Sequence, residues 1–183
     1  VRRAVRIADE VFGAEYVSAP RDRLAEDVHP SVDSLIEDGS AASIHMVARP
    51  ARTLAPRLPK MPLSEIYKAN CRGGSRDLDP SSVWQINIDA YGYVSSWICS
   101  GIVLGNAKKT PLSEIVSRPL SSQPPIVQAI VEHGPKALVE LAKKSGYEPV
   151  SGYVSKCHLC WDVRQAIYRE YPELFAPEEL YRD

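Results

Sequence analysis

No stretch of the chain approaches the roughly 20 consecutive apolar residues that a membrane-spanning helix needs, and no secretory signal opens it. Neither sign of charge dominates, because 22 Lys and Arg residues oppose 23 Asp and Glu residues and leave a net charge of −1. This balance gives no global attraction to nucleic acid or to an anionic membrane. We therefore expect a cytoplasmic protein that binds neither, in a compartment where thiols stay reduced or hold metal.

Sequence motifs of the common catalytic sites are missing as well. The sequence shows no Ser/His/Asp nucleophile grouping, no phosphate-binding glycine loop and no paired-carboxylate motif. With 183 residues, the chain is nevertheless long enough to bury about 70% of the surface that its unfolded form exposes. A bound metal need not be its only source of stability.

Cysteine occurs only four times, as two isolated residues and one close pair: Cys71, Cys99, Cys157 and Cys160. The pair forms a C-x-x-C motif at the start of a predicted helix, where free backbone N–H groups and the helix dipole favour negative charge. Four thiolates are typical ligands of zinc or of an iron–sulfur cluster. Structural zinc sites usually contain two close pairs, whereas residues 72–98 separate the first two cysteines here. The spacing favours a cluster, and a zinc site of the same four residues and two disulfides are the alternatives. His158, between the paired cysteines, is expected to pack beside the site rather than bind metal.

The hydrophobic pattern predicts an α+β fold in which a small antiparallel β-hairpin or sheet is surrounded by helices. Alternating residues predict strands over 83–89 and 93–99, joined by a turn at Gly92. Helices are predicted over residues 1–13, 63–69, 111–115, 126–132, 135–144 and 157–171. The proline-rich segment 50–62 is predicted to be a loop, after a strand over 42–47, and we place a boundary there between residues 1–60 and 61–183.

The cysteines and the segments between them resemble the C-terminal auxiliary-cluster domains of radical S-adenosylmethionine enzymes, called SPASM domains, and their shortened twitch form. The elements that carry the resemblance are Cys71, the strand–turn–strand Trp84–Val94, Cys99, Leu104-Gly105-Asn106, Leu112-Ser113-Glu114-Ile115 and Cys157-His158-Leu159-Cys160. The order and the turn residues agree together over roughly the second half of the chain. The segment between Gly92 and Cys99 is slightly longer than in SPASM domains, and the further cysteines that bind a second cluster there are missing.

The resemblance implies one auxiliary [4Fe-4S] cluster, held by Cys71, Cys99, Cys157 and Cys160. It implies a role in electron transfer, in structural support, or in both, during radical modification of a substrate that the sequence does not reveal. The C-x-x-x-C-x-x-C motif of the catalytic cluster is missing, so S-adenosylmethionine is expected only in a separate (β/α) barrel, on the same polypeptide or on a partner chain. Residues 1–60 would be a helix–helix–strand remnant of that barrel, and the chain, which begins at Val1, would be the C-terminal part of a larger enzyme or a descendant that lost its barrel. The alternative is a non-enzymatic zinc-binding interaction module, so whether the chain belongs to an enzyme stays open at this point.

Overall fold

The computed structural model describes residues 33, 36, 45–71, 86–96 and 99–182. The chain divides into two units, Val1–Ser40 and Ala41–Asp183, and the elements named below belong to the second. Most of the predicted helix–helix–strand segment lies outside the described residues. The predicted boundary between residues 60 and 61 separates a remnant of a barrel from a cluster-binding domain. A division into compact units does not test this origin, so the boundary stays a prediction.

Short helices make up most of the regular structure. In chain order they are α1 (Arg49–Thr53), α2 (Leu63–Ile66), α3 (Leu112–Ser117), α4 (Pro125–His133), α5 (Pro135–Ala142), α6 (Lys156–Ile167) and α7 (Glu178–Tyr181). Proline occupies one of the first two positions of α1, α4 and α5, where its fixed φ suits a helix and its missing N–H costs no hydrogen bond. Gly134 ends α4 and starts α5. In the part of the chain that the structure describes, no helix is long and apolar enough to cross a membrane.

The strands form two small antiparallel sheets. They are β1 (Met61–Pro62), β2 (Ile86–Ile88), β3 (Tyr93–Ser96), β4 (Gly105–Asn106) and β5 (Gly152–Tyr153). β1 pairs with β5, and the second sheet has the order β2-β3-β4. The β2–β3 turn is closed by the Oδ1 of Asp89, which accepts the N–H groups of Tyr91 at 2.9 Å and Tyr93 at 3.0 Å, while Gly92 takes φ +88°. These elements confirm the predicted α+β class, the hairpin and its glycine turn.

Two predictions about the segment before residue 62 are wrong. Residues 45–47 of the predicted strand are not a strand: the Val47 N–H donates to the His45 carbonyl at 2.9 Å in a tight turn. The predicted loop contains α1 and a 3-10 turn over Ala55–Arg57. The prediction of a loop rests on the prolines of this segment, but Pro50 lies at the start of α1, where proline favours a helix.

Several element ends also differ from the prediction, and two of them concern the cysteines. β3 ends at Ser96, so Cys99 lies in a turn rather than at the end of a strand. α6 ends at Ile167, before the predicted end at residue 171. Helix ends are the least determined part of a hydrophobic pattern, because the pattern continues through turns that pack on the same core.

The hydrophobic core lies between the three-stranded sheet and the helices. Each of these layers contributes side chains with 1% exposure or less: Val94 from β3, Ile115 from α3, Val131 from α4, Leu138 from α5 and Leu159 from α6. α5 packs against both α4 and α6. The helix that carries the paired cysteines is therefore held against the core along its length.

Candidate metal centre

Cys157 and Cys160 lie in the first turn of α6. The residue before the helix, Ser155, caps it, because its Oγ accepts the N–H of His158 at 3.2 Å. The remaining free N–H groups and the helix dipole favour anionic sulfur at this end. The predicted C-x-x-C motif at a helix start is confirmed, with the helix beginning at Lys156.

Cys99 lies close to this pair although it belongs to the turn that follows β3. Its N–H donates to the Ser96 Oγ at 3.3 Å. The pKa of the Cys99 thiol is raised to about 12, chiefly by burial and also by nearby Cys160 and Cys157, although the Arg164 guanidinium opposes the shift. A thiol with this pKa keeps its proton at neutral pH until a metal cation displaces the proton.

Cys71 follows α2 and is tied to two helices by its backbone neighbours. Its own N–H donates to the Val131 carbonyl in α4 at 3.2 Å. The Lys156 Nζ donates to the Asn70 carbonyl at 2.6 Å. Since Lys156 is the first residue of α6, the segment that carries Cys71 is fixed to the same helix start as the cysteine pair.

The three cysteine-bearing segments therefore come together at one end of α6, but their side chains do not form a complete metal site. Over residues 45–71, 86–96 and 99–182, no three His, Cys, Asp or Glu side chains stand close enough together to hold a metal ion. Each of the four cysteines keeps part of its surface exposed. The assignment of Cys71, Cys99, Cys157 and Cys160 as ligands stays a prediction.

Arg164 is a buried cation on the face of α6 that turns toward Cys99, and its residue is 1% exposed. Its Nε donates to the Cys160 carbonyl at 3.3 Å, and its Nη1 donates to the Ser100 carbonyl at 2.7 Å and to the Tyr181 hydroxyl at 3.1 Å. Burial raises the pKa of the Cys160 thiol, and Arg164 lowers it. The guanidinium thus provides positive charge beside two of the predicted ligands.

Trp161 carries a buried donor without an acceptor. Its residue is 2% exposed, its ring stacks on Tyr181 with centroids 5.1 Å apart, and its Nε1–H has no hydrogen-bond partner within the described residues. Unpaired buried donors are rare and costly, and a thiolate or sulfide sulfur is an acceptor of the kind that is missing. Thiol ligands, a buried cation and an unpaired N–H fit the environment that stabilises an anionic iron–sulfur cluster.

The His158 side chain packs against Tyr153 and Val154, and its predicted place beside the metal rather than on it stays a prediction. Its Nδ1 accepts the Val154 N–H at 3.3 Å, and its ring meets the Tyr153 ring edge-on with centroids 5.2 Å apart. Burial lowers the pKa of His158, and Asp162 opposes this effect. The ring therefore favours its neutral form.

Sequence reasoning missed a hydrogen-bonded cluster that holds α6 to the segment around β5. The Oδ2 of Asp162 accepts the hydroxyl of Tyr147 at 2.6 Å and that of Tyr153 at 2.8 Å. Burial raises the pKa of both tyrosines, that of Tyr153 to about 12, so both hydroxyls remain donors. No local pattern predicts this contact.

Sequence reasoning also missed Arg164, although the sequence contains a feature that could have pointed to it. A charged residue follows Cys160 by one helical turn and lies on the apolar stripe of α6.

Comparison of the chain with protein-family models, with curated proteins and with solved structures finds no match.

Proposed function

We propose that the chain holds one auxiliary [4Fe-4S] cluster and serves as the C-terminal cluster-binding part of a radical S-adenosylmethionine enzyme. The observation that carries the proposal is that Arg164 holds the Cys99 turn against α6, the helix of Cys157 and Cys160, because its guanidinium donates to the Ser100 and Cys160 carbonyls. Cys71 is the fourth thiol, on a segment tied to the same helix start. The order of these cysteines before and after the hairpin is the order that resembles twitch domains.

The chain's own residues would bind the cluster and shield it from water. Four cysteines would ligate it, the cap at Ser155 orients the first turn of α6, and the buried Trp161 and Leu159 exclude solvent on the core side. The bound cluster would supply one-electron transfer. Because no open coordination position remains when four thiolates bind, electron transfer and structural support are favoured over direct binding of substrate.

The proposal assigns S-adenosylmethionine to a catalytic barrel outside this chain, on the same polypeptide or on a partner. The four cysteines in the sequence are all used by the auxiliary site. A cytoplasmic location belongs to the same proposal, since reduced cysteines and oxygen-sensitive clusters are kept in reducing compartments.

The test is the iron, zinc and acid-labile sulfide content of anaerobically purified protein, measured beside its visible spectrum. We expect about four iron and four sulfide per chain. One zinc and no sulfide would replace the proposal by the zinc-binding module. Protein that contains neither metal after anaerobic reconstitution with iron and sulfide would refute both.

The ligand set is tested by single substitutions. Cys99→Ala and Cys71→Ala should each lower the iron retained after gel filtration, whereas Ser121→Ala, in the exposed turn Leu120–Ser122, should retain the wild-type amount. A cysteine variant that keeps the full iron and sulfide content removes that residue from the ligand set.

A further inference from the structure

Among the residues that the structure describes, Arg164 has no carboxylate partner. The guanidinium is surrounded by protein, and its hydrogen-bond acceptors are two carbonyls and a phenol hydroxyl. Within the described residues no Asp or Glu forms an ion pair with it. Burying a charge costs free energy unless an opposite charge lies nearby. We therefore expect a negatively charged group beside Arg164.

The surrounding side chains fix the guanidinium in place. Its Cζ lies 5.2 Å from the ring centroid of Trp161 and 5.7 Å from that of Tyr181. The Tyr181 hydroxyl, which accepts from Arg164, donates to the Gly101 carbonyl at 2.8 Å. Arg164 therefore cannot swing to solvent without breaking contacts with the Cys99 turn, with α6 and with α7.

Among the described residues, Arg164 donates to the carbonyl of Cys160 and to that of Ser100, the neighbour of Cys99, and the thiols of Cys160 and Cys99 interact with its charge, as does the Tyr181 hydroxyl. The two thiols are the groups there that a metal would make anionic. They are neutral as thiols and anionic as metal ligands. We propose that Arg164 is the counter-charge of the thiolate site. It is a positioning residue that stabilises the reduced, more negatively charged state of the metal group that the thiolates bind. This inference rests on the proposed function and extends it from binding to control of the reduction potential.

The direction of the effect follows from charge. One electron from dithionite or a low-potential dye makes the cysteine-bound site more negative by one unit, and no proton or bond change is needed to balance the step. A fixed cation in a buried position stabilises the reduced state more than the oxidised state. Removing the cation should therefore lower the reduction potential.

The experiment compares three variants with the wild type after anaerobic reconstitution. Arg164→Gln removes the charge but keeps an amide donor, Arg164→Lys keeps the charge but loses the planar fork, and Arg169→Gln is the control. Arg169 lies in the turn just after α6 and is exposed, with its guanidinium over the Tyr168 ring at 5.4 Å. Iron and sulfide per chain are measured first, and the midpoint potential is then measured by redox titration with electron paramagnetic resonance.

We expect Arg169→Gln to match the wild type, Arg164→Gln to show a lower midpoint potential, and Arg164→Lys to fall between them. A fully loaded Arg164→Gln protein with the wild-type potential overturns the inference while leaving the proposed function intact. If Arg164→Gln does not load, Arg164→Lys decides: loading by the lysine variant supports the counter-charge, and failure of both shows that the role is packing.

A wild-type protein that binds zinc instead would refute the proposed function alone, and the same variants then test the counter-charge by zinc competition. A several-fold weaker zinc affinity in Arg164→Gln than in Arg164→Lys supports it, because the zinc-bound thiolates also carry negative charge. Equal affinities overturn it.

Discussion

Gly134 joins α4 to α5 and packs closely against the backbone of the segment that carries Cys71. Its φ of +62° and ψ of −153° lie in a region that is essentially restricted to glycine. A Cβ added there would lie 2.2 Å from the Ala69 carbonyl oxygen and 3.3 Å from the Asn70 Cα. Backbone cannot rotate away as a side chain can, so Gly134→Ala should displace residues 69–71.

The magnitude follows from two terms. The backbone conformation costs about 1–3 kcal/mol for a residue with a Cβ, and the forced displacement of packed backbone costs about 1–3 kcal/mol more. Gly134→Ala should therefore lower the free energy of unfolding by about 4 kcal/mol. It should also lower the iron retained, because the displaced segment ends at Cys71.

Gly146 offers a matched control. It also has a positive φ, +81°, but an added Cβ would meet no atom within 4 Å. Gly146→Ala should cost only about 1 kcal/mol, from the left-handed backbone alone, and leave the iron content unchanged. The assay is urea unfolding followed by far-ultraviolet circular dichroism. Equal losses in the two variants would refute the close approach of Gly134 to residues 69–70.

Two further predictions concern the core and the hydroxyl cluster. Leu138→Ala removes a side chain with 0% exposure and should lower the free energy of unfolding by about 3 kcal/mol, whereas Val150→Ala, at a residue 55% exposed, should change it by less than about 0.5 kcal/mol; similar losses in both would contradict the assigned core. The pKa of Tyr153 is raised from 10.0 to about 12, chiefly by burial, so the folded state holds this proton more tightly and stability should fall as the pH rises from 10 toward 12. Urea unfolding at pH 8 to 11.5 should show a smaller fall for Tyr153→Phe, and an unchanged pH dependence would show that the proton is not held by the fold.

The parts of the fold that were predicted correctly are those with local chemical signals. Gly92 marks the hairpin turn because a positive φ is needed there, and Gly134-Pro135 separates α4 from α5 because glycine ends one helix and proline starts the next. The C-x-x-C motif places Cys157 and Cys160 in one helical turn. In each case a few neighbouring residues decide the conformation without help from the rest of the chain.

The parts that were missed depend on contacts between distant segments. β1 and β5 are two residues each, with Met61 opposite Tyr153, and so short a strand has no periodicity to detect. The partners of Arg164 come from three places in the chain, the Ser100 turn, α6 itself and Tyr181. The sequence therefore predicts which thiols are candidates but not which cation faces them.

The contacts that fix α6 do not depend on the thiols. Lys156 binds the Asn70 carbonyl at its start, Asp162 accepts two tyrosine hydroxyls on one side, and Arg164 binds the Ser100 carbonyl on another. The backbone N–H of Cys71 likewise donates to the Val131 carbonyl. In a classical zinc finger the free energy of metal binding is the free energy of folding; here the surrounding scaffold is formed by other contacts. The free energy of metal binding would then not be needed to order the chain. This favours a bound metal group whose role is electron transfer over one whose role is to stabilise the fold.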